Sequence, residues 1–203
     1  MDAIYEIRWH GRGGQGAVTA SIILAEAANT QGLYAQAFPE FGPERRGAPV
    51  KAYTRISSMK TTLNRSPIVN PDIVVVLDPS LSPETYIQGL KSDGYIIINT
   101  KKSAREVATQ LNIPRVVSVD GTSIALRHLK VPIVNVAMLG ALAKVLDVIS
   151  LESLSKAVLK TLYGISWSGS LESLLKTSEF SEAMLANIRV LIESYELAEV
   201  MRL

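Results

Sequence analysis

The segment Ile4-Tyr-Glu-Ile-Arg-Trp-His-Gly-Arg-Gly-Gly-Gln-Gly16 contains the feature that decides the fold. Its first residues, 4–9, have the apolar character of a short strand, and the glycine-rich part follows at once. The apolar, alanine-rich residues 17–29 then predict a helix that Gly32 ends. A strand, a glycine loop and a helix in this order are typical of an α/β sheet.

Strand and helix patterns continue to alternate outward from this junction. Strands are predicted at residues 34–38, 50–56, 73–77, 95–99 and 116–119, and helices at residues 83–91 and 103–111. The β-branched run at residues 73–77 suits a parallel strand that is covered on both faces. The alternation predicts a doubly wound, mainly parallel, Rossmann-like α/β sheet.

The pattern becomes helical after Asp120. Helices are predicted to begin at Pro132 and after Ser150, and a last helix is predicted over residues 181–199. Gly164 is a suitable residue to end the middle helix. We therefore expect a single domain over residues 1–203, with a sheet core at 1–122 and a mostly helical C-terminal extension at 123–203.

Composition excludes several classes of protein. Of the 203 residues, 47% are apolar and 20% charged, which is typical of a globular chain, and no apolar run approaches the roughly 20 residues that cross a bilayer. The N-terminus does not read as a signal peptide, so we expect a cytoplasmic protein without a membrane role. A net charge of +2 is too small to indicate nucleic-acid binding. Without cysteine, the chain cannot hold an iron–sulfur cluster on thiolates.

The glycine loop has the spacing of a dinucleotide-binding loop at Gly11, Gly13 and Gly16. Glycines let backbone N–H groups approach an anion closely, and the following helix N-terminus adds partial positive charge. Arg12 adds a full charge. A tight turn without a ligand explains the same spacing, so both interpretations stay open. The NAD-type fingerprint also needs an acidic residue about 20 positions later, and Glu40 fits poorly because it lies 24 residues past Gly16.

A second unusual segment is Phe41-Gly-Pro-Glu-Arg-Arg-Gly-Ala-Pro49. Arg45 and Arg46 carry planar guanidinium groups, which suit phosphate or carboxylate. A loop after the second strand is expected at the same sheet edge as the glycine loop. One interpretation is recognition of an anion or of a partner; the other is a structural arginine pair bound to Glu44 or to carbonyl groups.

The remaining polar residues indicate no catalytic site. His10 has no obvious acidic partner and is expected to be packed or hydrogen-bonded, and Asp78 and Asp120 are expected to be turn or cap residues. The sequence has no convincing nucleophile–base pair and no paired carboxylates, and its two histidines make a His-rich metal site improbable. We predict neither catalytic residues nor a metal site in this chain.

Two segments resemble a known family. Residues 5–17, which include His10-Gly-Arg-Gly-Gly-Gln-Gly16, and residues 37–50, which include Glu44-Arg-Arg-Gly-Ala48, are similar to gamma subunits of pyruvate:ferredoxin and 2-oxoisovalerate:ferredoxin oxidoreductases. Residues 70–78, 134–141 and 148–154 add to this resemblance, which weakens over 166–203. The two motifs together are specific, whereas either alone is not.

The resemblance implies a function. Such complexes oxidatively decarboxylate a 2-oxoacid to an acyl-CoA, CO2 and reduced ferredoxin. Thiamine diphosphate and Mg would lie in the alpha and beta subunits, [4Fe-4S] clusters would lie in the beta and delta subunits, and the gamma subunit would bind no cofactor alone. Coenzyme A would lie at or near this chain, and ferredoxin would be an indirect partner. The Glu44–Ala48 pattern favours pyruvate.

The resemblance and the residue-based reasoning agree on one candidate site. Coenzyme A carries a pyrophosphate and a 3′-phosphate, which a glycine-rich helix N-terminus and an arginine loop would suit. The candidate residues are Gly11, Arg12, Gly13, Gly14, Gln15, Gly16, Arg45 and Arg46. Two alternatives remain: a self-contained NAD(P)-binding oxidoreductase, and a purely architectural subunit whose glycine loop contacts only its partners.

Overall fold

The computed structural model describes residues 4–40, 47–60 and 64–202. In these ranges seven strands form one sheet in the order β2-β3-β1-β4-β5-β6-β7. The strands are β1 (Ile4–Arg12), β2 (Tyr34–Pro39), β3 (Pro49–Ser57), β4 (Ile73–Val76), β5 (Tyr95–Asn99), β6 (Arg115–Val119) and β7 (Glu199–Arg202). The helices are α1 (Ala17–Thr30), α2 (Pro83–Ile87), α3 (Ala104–Leu111), α4 (Gly121–Leu129), α5 (Asn135–Ala143), α6 (Leu151–Tyr163), α7 (Leu171–Lys176) and α8 (Glu182–Leu197).

Most of the sheet runs in one direction. β1, β4, β5 and β6 pair in parallel, whereas β3 pairs antiparallel with both β1 and β2, and β7 pairs antiparallel with β6. β2 therefore points the same way as β1, so that five of the seven strands are co-directional. The predicted mainly parallel α/β sheet is confirmed.

Helices cover both faces of the sheet. Ile7, Trp9 and Val75 face a cluster of buried side chains that includes residues of α1, α5, α6 and α8. Val74 and Ile96 point to the opposite face and pack with residues of α2 and α3. This alternation along β4, in which both sides are apolar, explains the continuous β-branched run. The sheet is doubly wound, as predicted.

The direction of winding changes beside β1. The chain leaves β1 through α1 to reach β2 and β3 on one side, and it then places β4, β5 and β6 on the other side. Open α/β sheets bind ligands at such a switch point, in the crevice outside the carboxyl ends of the strands. Here that crevice lies between the loops that follow β1 and β4.

Three elements and several boundaries differ from the sequence-based expectation; β1, for example, continues to Arg12 and does not end at residue 9. The helices α4 and α7 and the strand β7 are not predicted from the pattern. α5 begins at Asn135 and not at Pro132, since Lys130 takes a left-handed conformation that ends α4 and residues 131–134 form a connection. α2 ends at Ile87, before Gly89 with its positive φ of 74°.

Candidate functional site: a cleft at the glycine loop

The glycine loop turns the chain sharply from β1 into α1. Gly14 and Gly16 have positive φ angles of 93° and 84°, and the N–H of Gln15 donates to the carbonyl of Arg12 at 3.0 Å. None of the described residues accepts a hydrogen bond from the N–H of Gly14 or Gly16. These donors stand at the start of α1, where the helix dipole favours an anion.

Gly14 and Gly16 are glycines for different reasons. A Cβ on Gly16 would lie 2.8 Å from the side-chain nitrogen of Asn135 in α5, so close packing of two helix starts excludes a side chain there. A Cβ on Gly14 would meet nothing within 4 Å. The positive φ alone constrains Gly14 within the described chain, and the space beside it is open to an approaching ligand.

Asp78, two residues after the end of β4, holds the glycine loop in place. Its Oδ2 accepts hydrogen bonds from Arg12 Nε at 3.0 Å and from Gln15 Nε2 at 2.8 Å. Gln15 in turn accepts the backbone N–H of Arg12 through Oε1 at 2.7 Å. The Oδ1 of Asp78 accepts the N–H of Ser80 at 2.9 Å. The sequence-based expectation of a turn residue is therefore too limited, because Asp78 also bridges two loops.

The Asp78 carboxyl is held in its ionised form. Burial opposes ionisation, but hydrogen bonds from Ser80 and Gln15 and the charge of Arg12 outweigh it, so the pKa lies below its ordinary value. Arg12 also donates to the carbonyl of Gly47 and to the Ser80 hydroxyl. Its charge therefore faces Asp78 in this network, and its predicted contact with a phosphate stays a prediction.

A cleft of about 440 Å³ opens beside this network. Its volume falls within the range of small-molecule sites, roughly 300–1,000 Å³. The N-terminal ends of α1, α4 and α5 border it, because Gln15, Thr122 and Val134 belong to its walls. Its lining combines polar and apolar side chains. The lining residues are Gly13, Gly14, Gln15, Leu77, Asp78, Pro79, Asn99, Thr122, Pro132, Ile133 and Val134.

The C-terminal end of the segment 41–49 lies against the glycine loop. Gly13 donates to the carbonyl of Ala48 at 2.9 Å, and the N–H of Gly47 donates to the carbonyl of Gly13 at 3.3 Å. The position of the two arginines at this sheet edge stays a prediction. Arg45 and Arg46 themselves lie outside the described residues.

Glu40 does not stand where an NAD-type acidic residue would be needed. It accepts a hydrogen bond from the hydroxyl of Tyr53 and lies 3.5 Å from Lys51 Nζ, and it is not part of the cleft wall. β3 separates β2 from β1, so the end of β2 is two strand spacings, roughly 9–10 Å, from β1. This arrangement disfavours the alternative of a self-contained NAD(P) enzyme.

A buried polar pair lies just ahead of the glycine loop. Arg8 is 6% exposed, and its Nε donates to His10 Nε2 at 3.0 Å. Its other nitrogens donate to the carbonyls of Ile68, Val69, Tyr86 and Gln88. His10 is hydrogen-bonded, as the sequence predicts. Arg8 was not predicted, although strand alternation places it on the face opposite Ile7 and Trp9.

Comparison with known proteins identifies the family. A family model for pyruvate ferredoxin/flavodoxin oxidoreductase matches residues 6–175. The common gamma subunit of the pyruvate/ketoisovalerate oxidoreductases of Pyrococcus furiosus is 46% identical over 201 residues, which are 98% of this chain and 99% of the relative. This chain belongs to that family, as a gamma subunit. The resemblance that the two sequence motifs predict is confirmed, and the chain is a subunit of a 2-oxoacid:ferredoxin oxidoreductase complex.

Solved structures share the fold. The pyruvate oxidoreductase subunit PORC of Thermotoga maritima is 38% identical, with a TM-score of 0.77, and the match covers 97% of this chain and 98% of PORC. The 2-oxoglutarate:ferredoxin oxidoreductase of Magnetococcus marinus, solved with 2-oxoglutarate, coenzyme A and succinyl-CoA bound, has a TM-score of 0.67. That match covers 97% of this chain and 31% of the Magnetococcus chain, and its 18% identity establishes similarity of fold alone.

Proposed function

We propose that this gamma subunit provides a surface for the phosphate groups of coenzyme A at the glycine-loop cleft of the assembled oxidoreductase. The complex oxidatively decarboxylates a 2-oxoacid, and this chain acts with alpha, beta and delta subunits in the step that consumes coenzyme A. Thiamine diphosphate, Mg and the [4Fe-4S] clusters belong to those partners, and ferredoxin is an indirect partner. A cytoplasmic location remains a prediction.

The observation that carries the proposal is the set of donors around the cleft. The N–H of Gly14, which lines the cleft, has no acceptor among the described residues, and the N-terminal ends of α1, α4 and α5 border the same space. Each helix end contributes partial positive charge. The lining also includes the apolar residues Pro132, Ile133 and Val134. A ligand with phosphates and a less polar arm, such as coenzyme A, fits this mixture of polar and apolar groups.

The charges of the cleft indicate what the arginine loop adds. Asp78 is the charged residue of the described lining, and Arg12 compensates it. The described wall therefore offers dipoles but little net positive charge. Arg45 and Arg46, which directly precede the Gly47 and Ala48 that bond Gly13, are proposed to supply that charge. Each charge-assisted contact contributes about 1.5–3 kcal/mol, so Arg45→Ala and Arg46→Ala should each raise the KM for coenzyme A by roughly 10- to 150-fold.

We further propose that pyruvate is the favoured 2-oxoacid. The support is the resemblance of Glu44-Arg-Arg-Gly-Ala48 to the pyruvate and branched-chain types, together with the pyruvate-acting relatives. The kcat/KM of the assembled complex for pyruvate should exceed that for 2-oxoglutarate. The reverse order would refute the assignment.

The glycine loop is tested with a matched pair of variants in the assembled complex. Gly14→Val and Gly32→Val both force a β-branched residue to φ angles above +80°, and both positions have open space around the new Cβ. Gly14 lines the cleft, whereas Gly32 lies at the far end of α1. Gly14→Val should raise the KM for coenzyme A, because its side chain blocks close approach to the backbone. Gly32→Val should not.

A second measurement separates the coenzyme A step from the thiamine chemistry. Exchange of CO2 into the carboxyl group of pyruvate should change little in the Gly14→Val complex, to the extent that exchange proceeds without coenzyme A. Equal loss of both activities in a complex that assembles normally would assign the loop to an interface. Wild-type coenzyme A kinetics in both variants would reject the proposed site.

A further inference from the structure

We propose that Asp78 is a positioning residue: its carboxylate fixes Arg12 and Gln15 so that the glycine-loop N–H groups face the cleft. This inference rests on the proposed function, since it concerns how the same cleft acquires its affinity for coenzyme A. Asp78 follows β4, whereas the loop follows β1, and it therefore connects the two sides of the switch point.

The orientation of the Gln15 side-chain amide calls for a hydrogen-bond acceptor at the position of Asp78. Gln15 Oε1 is occupied by the backbone N–H of Arg12, so its Nε2 must donate away from the loop. The atom that receives this hydrogen bond also receives Arg12 Nε, and the two donors converge on Asp78 Oδ2. An ionised carboxylate only accepts hydrogen bonds, so it satisfies both donors without competition.

The carboxylate is itself held rigidly. Its second oxygen accepts the N–H of Ser80, and the side chain of Asp78 is 14% exposed. The chain of hydrogen bonds runs from Ser80 through Asp78 and Gln15 to the backbone of Arg12. Because Gln15 lies between Gly14 and Gly16, fixing its side chain limits rotation of the peptide groups on both sides. A binding site held in this way loses affinity when its support is removed.

An aspartate at the opposite end of β4 provides a matched control for Asp78. Asp72 precedes β4 and also binds one backbone N–H and one cation, namely Glu6 N at 2.8 Å and Lys91 Nζ at 2.6 Å. It lies at the amino end of the strand, away from the cleft. Asp72→Asn therefore removes a comparable charge network and costs comparable stability without touching the glycine loop.

The experiment compares Asp78→Asn, Asp72→Asn and Gln15→Ala in the assembled complex. Asp78→Asn keeps the side-chain shape but turns one acceptor into a donor that opposes Ser80 N–H or the Arg12–Gln15 pair. The KM for coenzyme A should rise on the order of tenfold, with kcat at saturating coenzyme A within about twofold of wild type. Gln15→Ala breaks the same chain of bonds at the next link and should give a similar rise. Asp72→Asn should leave the KM unchanged.

Each contrary outcome has a distinct meaning. If Asp78→Asn and Asp72→Asn have the same kinetics, Asp78 is a purely structural residue. A raised KM for coenzyme A in Gly14→Val would still support the proposed function in that case. A raised KM in Asp78→Asn without one in Gln15→Ala or Gly14→Val would make Asp78 a direct ligand contact. A lowered KM would mean that Asp78 restrains Arg12 from the ligand. All three outcomes overturn the positioning role, and wild-type kinetics in every variant would reject the site itself.

Discussion

The buried side chain of His10 contributes to the pH dependence of the free energy of unfolding. The side chain is 1% exposed, and Arg8 donates to its Nε2, so the ring proton is placed on Nδ1. Burial, with further contributions from the charges of Arg8 and Lys51, lowers the pKa to about 3 from an ordinary value of 6.5. His10 therefore stays neutral in the folded protein at pH values where it is protonated in the unfolded chain.

This difference predicts a loss of stability in mild acid. Below pH 6.5 the unfolded chain binds a proton that the folded protein does not, so the free energy of unfolding falls as the pH falls from about 6.5 towards 3. From about pH 7 to about pH 5 the loss from His10 is roughly 2 kcal/mol. His10→Gln keeps an acceptor for Arg8 but does not titrate. Urea denaturation at both pH values should show a smaller loss for His10→Gln than for wild type.

The control for this prediction is the other histidine. The pKa of His128 is also lowered, by burial and by the charges of Arg127, Arg189 and Lys130, so its contribution has the same sign. Its side chain is 20% exposed and pairs with Glu193 at the surface, so His128→Gln should remove less of the pH dependence. An unchanged pH dependence in His10→Gln would contradict the neutral state assigned to this residue.

The role of a residue can be predicted from the sequence more readily when its partners are close in the chain. The spacing of the glycine loop is visible in the sequence, and so is the capping role of Asp120, which accepts Ser123 N at 3.0 Å. The contact of Gly16 with Asn135 joins residues 119 positions apart, and the bond from Gln15 to Asp78 joins residues 63 apart. Such partners follow from sheet order, which no local pattern specifies. The sequence predicts a candidate site at the glycine loop, but it does not indicate that Asp78 and Asn135 support this loop.

Helices and strands, like single residues, are predicted well when neighbouring residues determine them and poorly when distant contacts do. α3 is predicted well because Ser103 and Glu106 form a capping box within one turn. β7 is only four residues long and largely exposed, and it exists because the edge of β6 offers unpaired backbone groups. α1 shows little amphipathic patterning, since sheet and helices bury most of its faces, yet its alanine content still predicts a helix.

The close contact between α5 and α8 can be tested by a substitution of Gly140. A Cβ on Gly140 would lie 2.2 Å from the carbonyl oxygen of Leu191 and 3.0 Å from the N of Tyr195, so the two helix backbones meet there. Alanine is the better helix former by about 1 kcal/mol, but overpacking typically costs about 1–3 kcal/mol or more. Because backbone atoms cannot move aside cheaply, Gly140→Ala should lower the free energy of unfolding in urea denaturation.

Gly32→Ala is the reference for this test. It strains a position with a φ of 82° but meets no neighbour within 4 Å, so it should cost only about 1 kcal/mol. Gly140→Ala should cost more. A Gly140→Ala protein that is as stable as wild type, or more stable, would show that α5 and α8 do not approach so closely.

At the scale of the whole molecule, the helices after Asp120 complete the site as well as the core. α4 and the start of α5 bring Thr122 and Val134 into the lining of the cleft. The same helices join the buried cluster that covers β1 and β4. Within the described ranges, none of the helices has the length and apolar composition needed to cross a bilayer. The helices after Asp120 therefore line the cleft and also complete the core.

The whole-molecule prediction concerns dependence on partners. Given pyruvate, coenzyme A and thiamine diphosphate, the isolated chain should not reduce a viologen dye. It contains no cysteine, so thiolates cannot hold a cluster that accepts electrons. Adding the chain to an alpha–beta–delta assembly should restore coenzyme A-dependent dye reduction, and coenzyme A should bind more tightly to the completed complex.

Two measurements on the partially assembled complex decide between a ligand-binding and an architectural role. Dye reduction by the isolated chain would contradict its dependence on partners. An alpha–beta–delta assembly that binds coenzyme A as tightly without this chain would instead indicate an architectural gamma subunit. In that case the open space beside Gly14 would face a partner and not a phosphate, and Gly14→Val should weaken association of the chain with its partners while Gly32→Val leaves it intact.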